Sequence, residues 1–234
     1  MRQTRLGCCW VIPMTQKSRF IINADFIDPP EGIEVRNFAF DGEPQFNSKP
    51  RTKPLKHFVI HENAGRSAKN CKNTLLKKDY GVQLILDRKG IVSCHGDLAT
   101  TVMKHANQLN KTSVGIEVIN PYAPKIAQGM NIQTIPAEWW TWCPDKRDRR
   151  YVLPSEKQLE TLLILVPWLC EKLNIPYVFP TANLNRKQRK IKGWQKFPKG
   201  WRAKPGPGVV AHGDFSKHAD GRYLLEYLME HSRP

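Results

Sequence analysis

Three residues of this chain are of the donor types that hydrolytic zinc sites use: His61 at the end of HFVIH, His212 at the end of VVAH, and Asp220 in HAD. A catalytic zinc takes three protein ligands and keeps one position open for water, and two imidazoles with one carboxylate form a common set. The chemistry such a set supports is hydrolysis, because the ion polarises a carbonyl and lowers the pKa of water. Either histidine alone reads as an ordinary polar residue at a strand end. The combination with Asp220 points to a metal.

Three separate elements must position these ligands. Phe58-Val59-Ile60 is a short apolar run that reads as a buried strand ending at His61, and Val209-Val210-Ala211 presents His212 in the same way. Asp220 follows the polar stretch 213–219, so two strand ends and a loop converge. Strands are predicted at His57 to His61, Gly81 to Leu86, Ile91 to Cys94, Ser113 to Ile119 and Gly208 to His212. The clearest helix starts at Ser155, where Ser155 and Gln158 fit a capping box. Leu159, Leu162, Leu163, Val166, Leu169, Cys170 and Leu173 follow at helical spacing, and Pro167 is expected to kink the run. A second helix is predicted over Arg222 to Glu230 and a third near Ser67 to Lys78.

Together these elements predict an α/β fold, a mixed central β-sheet flanked by helices. Residues 1–54, rich in turn signals such as Pro29-Pro30-Glu31-Gly32, read as an N-terminal arm whose Phe20-Ile21-Ile22 patch adds an edge strand. The catalytic domain is then 55–234, with insertions at about 121–154 and 181–207.

A chain of 234 residues suits one domain with a well-buried core. Its 37 Lys and Arg against 21 Asp and Glu give a formal charge of +16, which predicts attraction to polyanions: nucleic acid, acidic wall polymers or anionic lipid. The six cysteines, at 8, 9, 71, 94, 143 and 170, include no CxxC pair. That spacing argues against a thiolate zinc site and a dense disulfide framework, and buried free thiols are expected. The apolar stretch Cys8 to Ile12 is stopped by Pro13, too short for a signal-peptide core, and no run approaches a membrane span. The chain is expected to be made in the cytosol.

An ordered series of motifs resembles the zinc-dependent N-acetylmuramoyl-L-alanine amidases, whose fold is shared with peptidoglycan recognition proteins and amidase-type phage lysozymes. The series is His61 in VIHENAG; Leu86-Asp87-Arg88-Lys89-Gly90; His105-Ala106 followed by Asn110; Ser113-Val114-Gly115-Ile116-Glu117; and His212 with Asp220. The resemblance implies a peptidoglycan hydrolase, a phage-type lytic enzyme or an autolysin, which without a secretion signal is released by lysis, passed through a membrane hole, or confined to cytosolic wall fragments. Such an enzyme cleaves the amide between N-acetylmuramic acid and the stem L-alanine, using water activated by Zn2+. It implies Zn2+ on His61, His212 and Asp220, with Glu117 as general base on a strand beside the metal.

The same resemblance makes His218, two residues before Asp220, a donor to the developing oxyanion; the rival reading makes His218 itself a ligand. His105 and Asn110 fall in a segment that lines the substrate groove of relatives. The tyrosine position of some relatives falls on Val82 and the neighbouring histidine position on Gln83, so Tyr80 contacts substrate only if the strand register shifts. Glu62 and Asn63 replace the small hydroxyl or aromatic residues common after the first ligand. His57, at the strand start, is read as structural.

Two segments have no counterpart in that series. Nine cations from Arg186 to Lys204, uninterrupted by acids and interleaved with Trp194, Phe197 and Trp201, read either as a binding segment for acidic wall polymer or nucleic acid, or as a solvated loop. Trp139, Trp140 and Trp142 read as a cap on a small core or as a glycan-stacking wall. The competing functions are a non-catalytic peptidoglycan recognition module and a nucleic-acid-binding protein. The first would be expected to lack a metal ligand, and the second leaves the ordered motifs unexplained.

Overall fold

The computed structural model describes residues 18–39, 44–136, 150–181, 205–215 and 220–232. His218, the tryptophans at 139, 140 and 142, and the basic segment 186–204 lie outside the described residues. Twelve strands are described: β1 (Phe20–Ile22), β2 (Asp25–Ile27), β3 (Val35–Asn37), β4 (Ser48–Pro50), β5 (His57–Asn63), β6 (Leu84–Leu86), β7 (Val92–Cys94), β8 (Thr101–Met103), β9 (Ser113–Ile119), β10 (Thr134–Pro136), β11 (Arg150–Val152) and β12 (Gly208–Ala211). The helices are α1 (Ala68–Lys77), α2 (Glu156–Lys172) and α3 (Arg222–His231).

Six strands form the central sheet in the order β12-β5-β9-β6-β7-β3. The first four run parallel, β7 is antiparallel to β6, and β3 is parallel to β7, so the sheet is mixed. Parallel strands have both faces covered, so they carry near-continuous apolar runs. In β5, β6, β9 and β12 one set of alternate residues, Phe58, Ile60, Leu84, Leu86, Val114, Ile116, Val209 and Ala211, joins the main core. There they pack against Leu162, Leu165, Val166 and Leu169 of α2 and Leu224, Leu225 and Leu228 of α3. Each fully buried aliphatic side chain contributes on the order of 1.5–3 kcal/mol, which is what fixes the helices to this face.

The capping box at Ser155 is present. Its hydroxyl accepts from the Gln158 N–H at 3.2 Å, the Gln158 side chain accepts from the Ser155 N–H at 3.0 Å, and α2 runs on through Pro167. Ser67 caps α1 in the same manner, accepting from Asn70. The segment read as an arm is built into the sheet: β3 is its far edge, β4 pairs with β8, and Phe20, Ile22, Ile33 and Val35 sit in the main core. Phe20–Ile22 pairs with β2 in a separate hairpin. Cys71, Cys94 and Cys170 are buried free thiols.

Candidate active site

On the other face of the sheet, register does the positioning. β5 and β9 are parallel, and His61 lies directly opposite Glu117, so the two side chains project on the same side. β12 pairs Ala211 with Ile60, and the next residue, His212, therefore leaves the strand level with His61. The chain turns there into a single 3-10 turn, His212–Asp214, whose Asp214 carboxylate accepts from the Ala211 N–H at 3.1 Å. Asp214 also accepts from the Thr181 hydroxyl at 2.7 Å and lies 3.6 Å from Arg222. Arg222 in turn donates to the Gly213 carbonyl.

Asp220 reaches the same spot from the loop before α3. Gly221 adopts φ +79, and a Cβ there would lie 2.3 Å from the Ile60 carbonyl oxygen, so only glycine lets the chain pass this close to β5. The Asp220 oxygens are both 3.0 Å from His212 Nδ1, and one is 3.6 Å from His61 Nδ1. One ligand atom from each of the three residues lies within 4.8 Å of the others. Zinc–nitrogen and zinc–oxygen bonds of about 2.0–2.2 Å set tetrahedral edges of about 3.3–3.6 Å, near the separations of Asp220 from the two imidazoles, and the donor types suit the ion. Burial alone would push the Asp220 carboxyl up, but the facing imidazoles of His212 and His61 hold it well below the usual carboxylate range. His212 is shifted upward: burial opposes its charge, and Asp220, Glu117 and Asp214 outweigh that.

Glu117 is buried beside this cluster, and burial raises its pKa against the pull of His61. The Asn63 side chain hydrogen-bonds it. Asn63 Oδ1 is taken by the Gly65 N–H at 2.7 Å, so the amide group faces the carboxylate. His105 stands against His61, with Nδ1 3.0 Å from His61 Nε2. Burial first, then the neighbouring His61, His212 and Arg51, depress its pKa well below that of a free imidazole. Asn110 accepts from the backbone N–H groups of His105 and Ala106 at 3.0 and 2.6 Å, so its carbonyl holds the chain in place.

Tyr80 is 52% exposed on the loop after α1, and the strand register does not move to bring it inward: Val82 and Gln83 are fully buried. Gln83 donates to the Thr101 carbonyl and accepts from the Gly115 N–H at 3.0 Å. His57 sits at the far end of β5 between Thr112 and the Pro205 carbonyl.

One buried network gives no sign in the sequence. Glu62, next to His61 but on the opposite face, accepts from the Tyr151 hydroxyl and from Asn120 Nδ2. Asn120 also donates to the Val152 carbonyl and accepts from Arg88, which ties β11, within the first insertion, to the ligand strand. A carboxylate in a strand reads as solvated unless its distant partners are known. Burial pushes Glu62 up to about 7, against the hydrogen bonds from Tyr151 and Asn120. Between the ordinary value of 4.5 and that raised value the folded chain keeps a proton that the unfolded chain releases. Stability therefore falls as pH rises through this window and is flat above it, by at most about 3 kcal/mol. Urea unfolding of chelated parent and Glu62→Gln at pH 5 and pH 8 is expected to show the parent losing more stability than the variant. A pH-independent difference between them would remove Glu62 as a buried, protonated carboxyl.

No curated protein sequence matches this chain. Among solved structures, the endolysin N-acetylmuramoyl-L-alanine amidase LysCS from Clostridium intestinale superposes with TM-score 0.51 at 10% identity, over 86% of this chain and 97% of that one. The amidase LysC from the same organism gives TM-score 0.51 at 10% identity over 84% and 95%. The Drosophila peptidoglycan recognition protein SD gives 0.47 at 13% identity over 85% and 94%. At 10% identity the likeness to the two Clostridium amidases is one of fold. The sequence profile that describes N-acetylmuramoyl-L-alanine amidases matches residues 51–219, a span that holds every strand of the central sheet except β3 and includes His61, Glu117 and His212. On that match, which covers most of the chain, the protein belongs to the N-acetylmuramoyl-L-alanine amidase family.

Proposed function

We propose that the protein is a zinc-dependent hydrolase of the amide between N-acetylmuramic acid and the L-alanine of the stem peptide. The observation that carries this reading is the convergence of His61, His212 and Asp220 beside the buried Glu117. When bound by those three residues, zinc would polarise the scissile carbonyl and make water a nucleophile near neutral pH. The chain's own task is then proton movement. Glu117 accepts a proton from the attacking water and returns it to the stem-peptide nitrogen as the C–N bond breaks, and its raised pKa suits both halves of that task. His218 is proposed as the donor to the carbonyl oxygen, and His105 and Asn110 as residues bordering the substrate.

The cations of 186–204 are proposed to hold the enzyme on acidic wall polymer. No helix among the described residues is long and apolar enough to cross a membrane. The reading is tested by incubating purified peptidoglycan with the zinc-loaded protein. Stem peptides with free L-alanine amino groups are expected without new reducing sugar ends, and a chelator should stop their release. Binding to peptidoglycan without peptide release by the zinc-loaded protein would refute catalysis and leave a recognition module.

A further inference from the structure

The geometry points to His105 as a positioning residue that orients the metal ligand His61, with its seat supplied by Gly115. This rests on the reading of His61 as a ligand. The case comes from a complete count of donors and acceptors. His61 turns Nδ1 toward Asp220, at 3.6 Å, and Nε2 toward His105 Nδ1, at 3.0 Å. A neutral imidazole carries one proton, so a free lone pair on Nδ1 requires the hydrogen on Nε2. That hydrogen has His105 Nδ1 as its acceptor. The His105 proton is then on Nε2, which donates to the Ser113 hydroxyl at 3.1 Å. Ser113 donates its own hydrogen to the Leu109 carbonyl at 2.8 Å.

Running the chain of bonds backwards is incompatible with an ion on His61 Nδ1. Ser113 would have to donate to His105 and lose the Leu109 carbonyl, and His61 would be left with its proton on the nitrogen that faces Asp220. With an ion on His61 Nδ1, the first direction alone keeps the Leu109 bond and leaves the His61 lone pair where the metal donors meet. Both ring nitrogens of His105 are thereby engaged within the protein. Ligating histidines are generally held by such a partner on the second nitrogen, which fixes tautomer and ring orientation.

Gly115 explains how the ring gets there. A Cβ at this position would lie 2.5 Å from His105 Nδ1 and 2.6 Å from its Cε1. Gly115 is not among the glycines with positive φ, so its backbone demands nothing of glycine; the space does. The neighbouring Val82 would be 3.0 Å from the same Cβ, so the position is crowded from that side as well. Asn110 fixes the His105 backbone from behind through its two hydrogen bonds. The glycine of SVGIE is therefore a socket for His105.

The experiment is zinc competition against a chromophoric chelator, with thermal unfolding of each chelated protein as the control for folding. His105→Ala is expected to weaken zinc binding by about 10–100-fold, the usual effect of losing such a partner. Gly115→Ala should weaken it similarly by displacing the ring, and the double variant should be no weaker than His105→Ala alone. His105→Asn places its side-chain oxygen where Nδ1 stood, so it should recover much of the lost affinity although it lacks the ring. Equal weakening in His105→Asn and His105→Ala would reduce His105 to a space-filler, and parent-like affinity in His105→Ala would overturn the proposal directly. Failure of the parent to bind zinc shows up first and separately; it removes the ligand assignment, and this inference with it.

Discussion

His212→Ala is expected to bring bound zinc from one equivalent to near none and to reduce release of stem peptides to background. His212 offers one of the three ligand atoms of the proposed site, and its ring also spans both Asp220 oxygens at 3.0 Å. Removing it costs a metal bond, so the loss should exceed the about 10–100-fold typical of an outer partner. It also leaves the buried Asp220 facing His61 alone, at 3.6 Å. An under-partnered buried group costs about 1–3 kcal/mol, so the chelated variant should also unfold at lower urea concentration than the chelated parent. Elemental analysis after gel filtration checks the first outcome. Full zinc occupancy in the variant would take His212 out of the metal site.

Glu117→Gln should separate chemistry from metal binding. Glu117 is beside the ligands in register yet is not one of them, so the zinc content should stay at the parental level. Glutamine keeps the shape and the contact with Asn63 but cannot take up a proton. Turnover is expected to fall by about 10²–10⁴-fold, the range for lost general acid–base help. The pH profile should lose the limb due to Glu117, which burial places above the ordinary glutamate range. Near-parental turnover at saturating substrate would exclude Glu117 from the proton transfers.

Much of the frame is legible before any coordinates. Ser113–Ile119 is read end to end because Val114, Ile116 and Val118 alternate there with Ser113, Gly115 and Glu117. α2 announces itself through its capping box, and α3 through leucines that begin just after Asp220. Strand ends are less visible. The expected strand from Gly81 begins only at Leu84, because the Gly115 N–H bonds the Gln83 side chain and not a ladder carbonyl. β5 runs past His61 to Asn63 because Glu62 and Asn63, polar by type, find partners at Tyr151, Asn120 and Glu117. β3, three residues long and paired with β7, carries too little pattern to betray its place in the sheet. Within the candidate site, the ligand types are legible from single residues, whereas the seat of His105 over Gly115 is a fact of space that no spacing encodes.

The strand that leads to His212 is also the last strand among the described residues and forms one border of the sheet. Pairing β12 with β5 closes a loop of about 150 residues, so its entropic cost precedes any reward from the metal donors. The site is therefore completed late in folding, when nearly all of the described chain has been made. Detachment of β12 together with α3 would carry off two ligands in one movement and leave His61 inside the sheet. An ion bound at a hundredfold excess over its Kd opposes that detachment by about 2.7 kcal/mol, and it adds nothing against openings that leave all three ligands in place. A metal held there would act as a clasp at this border, and proteolytic nicking there should then depend on zinc more steeply than nicking near β3.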